Sequence, residues 1–321
     1  MKGLTDIPGI LVGHATDHAA HTGCTAILCE AGAIGGIDVR GSATGSSDWH
    51  VLAPDHVADR VHAIVLAGGS AFGLETASGV RNFLSAKGVG LAFGGTHVPI
   101  VVGAILFDLG LATKRPTREM GEAAAKSATN GDVVEGAVGA GAGATVGKML
   151  GMERAMKSGI GSASVFLNGP YAGVLVSALA AVNAVGDIVD PKTGEVLAGA
   201  RVSPDSMVFA DATALIQRGG LASLPPLPKM QNTTLVVIAT NAKLDKVQTN
   251  KLAAHASAGM ARAISPAWTM NDGDVTFALS LGDKQCDLTA LGAAAAEAAA
   301  HAIVRAVQLA PTVGKFPGLA S

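Results

Sequence analysis

Apolar positions along the 321-residue chain alternate between short unbroken runs and longer stretches of helical spacing. Ala63-Ile64-Val65-Leu66-Ala67 reads as a buried strand, followed by Gly68-Gly69-Ser70-Ala71-Phe72-Gly73 and a helical pattern from Leu74 to about Leu84. Residues 173–186 are mostly apolar and read as buried, but periodicity alone leaves helix and strand equally open there. A second strand, Leu235-Val236-Val237-Ile238-Ala239-Thr240, follows Gln231-Asn232-Thr233-Thr234. Asp245 and Gln248 have the spacing of a capping box and open a helix to about Ala263. Val275, Phe277, Leu279 and Leu281 alternate as a strand. Leu288 to about Leu309 reads as an Ala-rich helix, with Glu297, His301 and Arg305 four apart on one face. This is an α/β pattern, and Leu224-Pro225-Pro226-Leu227-Pro228 is its clearest internal boundary.

Composition narrows the picture. Apolar residues make up 49% of the chain and charged residues 15%, with 42 glycines and few aromatics. Such a core is filled by Ala, Val, Leu and Ile, and its small residues permit close approach between layers. So few charges leave limited polar surface, and a homo-oligomer is expected. The formal charge of −2 and the lack of a basic run argue against nucleic acid. Cys24, Cys29 and Cys286 have no metal-binding spacing and read as reduced thiols of a cytoplasmic protein. The N-terminus lacks a signal-peptide apolar region, and the runs 98–107 and 173–186 are too short to cross a bilayer, so no membrane partner is expected.

The candidate chemistry centres on Asn232-Thr233. A hydroxyl residue at the head of a buried strand, after a Pro-rich segment, is where a self-cleaving protein exposes a nucleophile. If the Asn232–Thr233 bond breaks, Thr233 gains an α-amine whose ordinary pKa, about 7.7–8.0, suits a general base at neutral pH. The same residues also read as ordinary turn-to-strand sequence. Asn271-Asp272-Gly273-Asp274 precedes the strand 275–281. If that strand and 235–240 run parallel about the intervening helix, Asp272 and Asp274 meet Thr233 at one sheet edge. Two glycine-rich runs suggest nucleotide loops and fail the test. Gly139 to Lys148 has Ala142 and Met149 where a P-loop needs Gly and Ser or Thr. In Gly68-Gly69-Ser70-Ala71-Phe72, Phe72 stands where a nucleophile elbow needs Gly. Both read as tight turns; Gly69, Ser70 and Ala71 offer backbone N–H groups suited to a substrate oxyanion or carboxylate.

Seven motifs in order carry a resemblance over nearly the whole chain. They are Val12-Gly13-His14-Ala15-Thr16-Asp17 with Thr22-Gly23-Cys24-Thr25; Gly68 to Glu75; Val98-Pro99-Ile100-Val101 with Ile105-Leu106-Phe107-Asp108; Gly141 to Lys148; Gly159 to Ser164; Val182-Asn183-Ala184-Val185-Gly186-Asp187; and Asn232-Thr233-Thr234 through Asn241. The chain resembles the L-aminopeptidase/D-esterase (DmpA-like) family of self-processing N-terminal-nucleophile hydrolases, with its β-aminopeptidases and nylon-oligomer hydrolases. The resemblance implies an αββα sandwich over residues 1–321. It implies a cut at Asn232-Thr233 into an α chain 1–232 and a β chain 233–321 that stay associated, within a tetramer of αβ units. It makes Thr233 the nucleophile of a small-amide or peptide hydrolase that uses no cofactor and no metal. Asn183 matches an asparagine that polarises the substrate carbonyl. Lys148 or, as the alternative match, Lys157 is the site lysine, and Asp272 and Asp274 match acidic or hydroxyl residues around the nucleophile. An acyltransferase of the ornithine acetyltransferase kind shares the same logic, and a small-ligand-binding protein that never matures is the rival outside enzymes.

Overall fold

A computed structural model describes residues 1–219 and 232–320; the Pro-rich boundary at 224–228 and Gln231 lie outside them. Nine strands form one hydrogen-bonded path: β1 (Leu11–Asp17), β2 (Thr22–Val39), β3 (Ser46–Ser47), β4 (Val61–Ala67), β5 (Val101–Ile105), β6 (Ile160–Phe166), β7 (Leu175–Asn183), β8 (Thr233–Ala242) and β9 (Val275–Lys284). Their order is β6-β7-β8-β9-β2-β4-β5-β3, with β1 also on β2. Among the described residues five α-helices accompany them: α1 (Thr76–Ala86), α2 (Arg118–Lys126), α3 (Ala212–Gln217), α4 (Lys246–Ala263) and α5 (Leu288–Gln308).

The 18-residue β2 belongs to two sheets. Its first half pairs with β1 and β4 through Thr22–Leu28, and its second half pairs with β9 through Ile34–Val39. Between these halves the pairing shifts register and Gly32 takes a positive φ of 80°, a conformation open to a residue without Cβ. The path therefore turns back on itself as two stacked sheets. Ile27, Ile64, Leu66 and Val102 from one sheet meet Leu179, Leu235, Val237, Val275 and Phe277 from the other in a buried core. On the outer faces, α1 and α2 cover Ala26, Ala63 and Val65, while α4 and α5 cover Val176, Ala180, Val236 and Ile238. Helices, two sheets and helices make an αββα sandwich.

The ambiguous stretch 173–186 resolves as a strand, because β7 alternates faces between the core and the helix layer. The capping box is complete: Asp245 Oδ1 accepts the Gln248 N–H at 2.8 Å, and Gln248 Oε1 accepts the Asp245 N–H at 3.0 Å. The Ala-rich α5 is long and apolar enough to cross a membrane, and two thirds of its most apolar stretch is buried inside the fold. It lies so close to α4 that a Cβ at Gly259 would come within 2.1 Å of the Ala296 carbonyl. On its polar face Arg305 reaches Glu135, at 2.5 Å, instead of its helical neighbours.

For the site, the decisive register is β8 on β9. These strands run parallel, with Leu235 opposite Val275, and α4 crosses between them. On its other side β8 is antiparallel to β7, which places Thr233 opposite Asn183.

Candidate active site

Thr233 is the first residue of β8. Side chains alternate along a strand, so Thr233 shares the inter-sheet face with Leu235 and Val237. Its Oγ1 donates to the carbonyl of Asn232 at 2.5 Å. That carbonyl also accepts the Gly273 N–H at 3.0 Å. The parallel edge does bring the acidic turn to Thr233: Asn232 bridges to Asp272, and Asp274 Oδ1 accepts the Thr234 N–H at 2.6 Å. Asp272 is held by Thr269, whose hydroxyl and N–H donate to its Oδ2 at 2.5 and 3.1 Å. The segment 40–43 seals the turn from outside through Arg40, Gly41 and Ala43 N–H bonds to the Asp274 and Asp272 carbonyls.

The matching register of β7 delivers Asn183, and the run after Gly139 delivers Lys148 to it. Lys148 Nζ donates to Asn183 Oδ1 at 2.7 Å and to its backbone carbonyl at 2.9 Å. Thr145 N–H also reaches Asn183 Oδ1, at 3.0 Å, and Asn183 Nδ2 donates to the Phe107 carbonyl at 2.9 Å. Thr233, Asn183, Lys148, Asp272 and Asp274 are each at most 5% exposed, so their charges interact with little water between them. Burial lowers Lys148 to about 7 against the opposing pull of Asp272 and Asp274. Burial, then the nearby Asp272 carboxylate, pushes Asp274 up to about 8. Asp272 is also raised, chiefly by burial. Burial thus works against the charged form of all three groups, which face one another in a single cluster.

Of the two candidate lysines, Lys148 bonds Asn183 directly. Lys157 is wholly buried too, but its Nζ donates to three backbone carbonyls, of Gly141, Ala144 and Ser158, at 3.1, 2.9 and 2.5 Å. A cavity of about 180 Å³ opens beside the threonine, lined by Ala43, Thr44, Gly45, Ser70, Ala71, Ile105, Phe107, Asn232 and Thr233. Ser70 and Ala71, two of the three expected substrate contacts, line this cavity. Gly69 does not line the cavity: its N–H is taken by Asp108 Oδ1 at 2.6 Å, and the Ser70 N–H by the Leu106 carbonyl at 3.0 Å. These two donors therefore hold the wall itself. Sequence reasoning missed Thr44, Ile105 and Phe107 as cavity residues; an apolar run ending in a lone buried acid, Phe107-Asp108, was the available signal.

Known proteins resemble this chain along nearly its whole length. Residues 2–320 match the description Peptidase family S58. The chain belongs to peptidase family S58. An uncharacterized aminopeptidase of Mycobacterium leprae is 36% identical, with 99% of this chain and 95% of the relative covered. A 6-aminohexanoate-oligomer endohydrolase of Kocuria sp. is 31% identical over 94% of this chain and 85% of its own. Among solved structures, a Burkholderia sp. β-aminopeptidase superposes with a TM-score of 0.70 at 23% identity, covering 99% of this chain and 91% of that one. The L-aminopeptidase D-Ala-esterase/amidase of Ochrobactrum anthropi, described as a variant of the Ntn hydrolase fold, gives 0.70 at 19% identity, over 98% and 88%. This S58 chain is therefore a hydrolase of the aminopeptidase and amidase kind, on the Ntn hydrolase fold.

Proposed function

We propose that this S58 hydrolase cuts its own Asn232–Thr233 bond and then uses Thr233 as an N-terminal nucleophile on small peptides, amino-acid amides or linear amide oligomers. The observation that carries the reading is the Thr233 hydroxyl, held 2.5 Å from the carbonyl oxygen of its own preceding peptide inside a buried cluster of Lys148, Asp272 and Asp274. In the first stage Oγ1 gives up its proton and bonds to the Asn232 carbonyl carbon, and the C–N bond breaks as the Thr233 nitrogen takes that proton. The Gly273 N–H donates to the oxygen on which negative charge develops. Water then opens the ester, leaving an Asn232 carboxylate and a free Thr233 amine.

In the second stage the amine takes the Oγ1 proton, Oγ1 attacks the substrate amide carbon, the amide C–N bond breaks as the leaving amine receives that proton, and water hydrolyses the acyl-enzyme. Nucleophile and base belong to one residue, so their encounter is intramolecular. Lys148 next to the new amine disfavours a second positive charge and keeps more of it as free base, while Asp272 and Asp274 orient it. Asn183, fixed by Lys148 and Thr145, supplies the amide that polarises the substrate carbonyl. The names of the relatives, an aminopeptidase and a 6-aminohexanoate-oligomer endohydrolase, support amides as the substrate class.

Intact mass of the purified protein beside Thr233→Ala tests the reading. Wild type should give two fragments meeting at 232/233 and the variant one chain of 31.8 kDa, with amide hydrolysis in the cleaved protein alone. If wild type also stays whole and inert, the nucleophile is never unmasked, and a small-ligand-binding role takes its place.

A further inference from the structure

The two glycine-rich runs that failed as nucleotide loops meet at one buried carboxylate. Asp108, 2% exposed, lies just beyond β5. Its Oδ1 accepts the Gly69 N–H at 2.6 Å and its Oδ2 the Thr22 hydroxyl at 2.7 Å. A Cβ at Gly68 would come within 2.1 Å of Oδ2, and one at Gly143 within 2.7 Å of the Asp108 Cβ. The carboxylate therefore fits only between two residues without side chains, one from each run. Lys157 secures the second run through the Gly141 and Ala144 carbonyls. Burial raises Asp108 above the usual carboxylate range, and the Gly69 N–H and the Thr22 hydroxyl are the first groups that oppose it.

Each run carries one wall of the site. From the first come Ser70 and Ala71 in the cavity. The second ends in Thr145 and Lys148, both bonded to Asn183. The Phe107 carbonyl, one residue before Asp108, accepts from Asn183 Nδ2. We propose that Asp108 is a positioning residue that keeps these two walls aligned across the Thr233 site. The proposal rests on the amide-hydrolase reading above for its effect on turnover.

The test is Asp108→Asn in the full chain, which keeps the shape and removes the charge. Turnover is counted per free Thr233 amino terminus, so that incomplete cleavage does not enter. A displacement of about 1 Å at such a wall costs up to about 100-fold in rate, so kcat should fall about 10- to 100-fold, and by more than KM rises. Thr22→Val, which removes one of the two bonds, should give a smaller loss. Ser162→Ala removes a buried hydroxyl bonded to the Leu4 N–H, away from the cavity, and should leave kcat unchanged at a comparable cost in stability. A second readout does not depend on activity. In a Thr233→Ala background, Asp108→Asn should speed hydrogen exchange in both 68–73 and 141–148. Wild-type kcat per amino terminus, or loosening confined to 68–73, overturns the proposal. If wild type neither cleaves nor hydrolyses amides, the hydrolase reading fails, and the exchange experiment still decides whether Asp108 joins the two walls.

Discussion

Replacing Thr233 by Val and by Ser separates the hydroxyl from the space it fills. Val exchanges Oγ1 for a methyl of similar volume at a position 2% exposed, on the face that packs between the sheets. The loss is one hydrogen bond, to the Asn232 carbonyl, worth about 1 kcal/mol net. That carbonyl keeps the Gly273 N–H at 3.0 Å, so no buried acceptor is orphaned. The Val chain should therefore fold, more stably than the uncleaved Thr233→Ala chain by about 1.6 kcal/mol for the two buried methyl groups that Ala lacks, and never cut itself. Ser keeps Oγ and deletes a buried methyl, at about 0.8 kcal/mol in stability. It also frees χ1, which the branched Cβ of threonine restricts. Selecting one of three staggered wells costs RT ln 3, about 0.65 kcal/mol, or about threefold in rate. Intact mass followed over time after refolding gives the rate constants directly. The expected order is Thr, then Ser about threefold slower, then none for Val. Fragments from the Val chain would refute the argument, as would a folded Ser chain that never cuts.

Three further outcomes are expected. Lys148→Met should cut amide turnover by up to about 100-fold, the scale of a displaced site group, because it removes a donor that fixes Asn183, with fold retained by circular dichroism; unchanged turnover would remove Lys148 from the site. Between pH 8 and 9 the uncleaved Thr233→Ala chain should gain stability with rising pH. Burial lowers Lys148 and Lys157 to about 7 from an ordinary 10.5, so the unfolded chain binds more protons and the slope is positive. Asp274, raised to about 8, gives an opposing slope that fades above that pH, and the buried thiols of Cys24 and Cys29, pushed up to about 12, oppose increasingly as the pH nears 9, so the two lysines still set the sign. The gain is at most about 3 kcal/mol for two lysines over one pH unit, read by urea unfolding; a fall across that interval would contradict it. Asp245→Ala should lower stability by about 1 kcal/mol, because it removes the acceptor of the Gln248 N–H at the start of α4.

Local signals carried well from sequence to structure where backbone chemistry decides. The capping box at Asp245 and Gln248 marked the start of α4 to the residue, and alternation at Val275 to Leu281 marked β9. From those came the parallel edge that joins Asp272 and Asp274 to Thr233. What stayed hidden depends on contacts between distant parts of the chain. The double membership of β2 follows from pairing with β4 on one half and β9 on the other, and nothing local to residues 22–39 announces it. Residues 173–186 are apolar on both faces because one face meets the other sheet and the other meets α5, so the alternation that marks a half-buried strand is absent. Gly68 and Gly143 were read as turn formers, and their lack of a side chain serves a carboxylate far along the chain.

The position of β8 has a consequence for assembly. It is an interior strand, bonded to β7 on one side and β9 on the other, and its first residue is Thr233. A cut before Thr233 would leave β8, α4, β9 and α5 on one polypeptide, threaded between β7 and β2 of the other. The uncut chain can form this arrangement by closing loops upon itself. The two pieces, once unfolded, would have to find each other, and recovery would depend on their concentration. Cleavage would thus write the order of events into the molecule: folding first, cutting second, with no easy route back through the unfolded state.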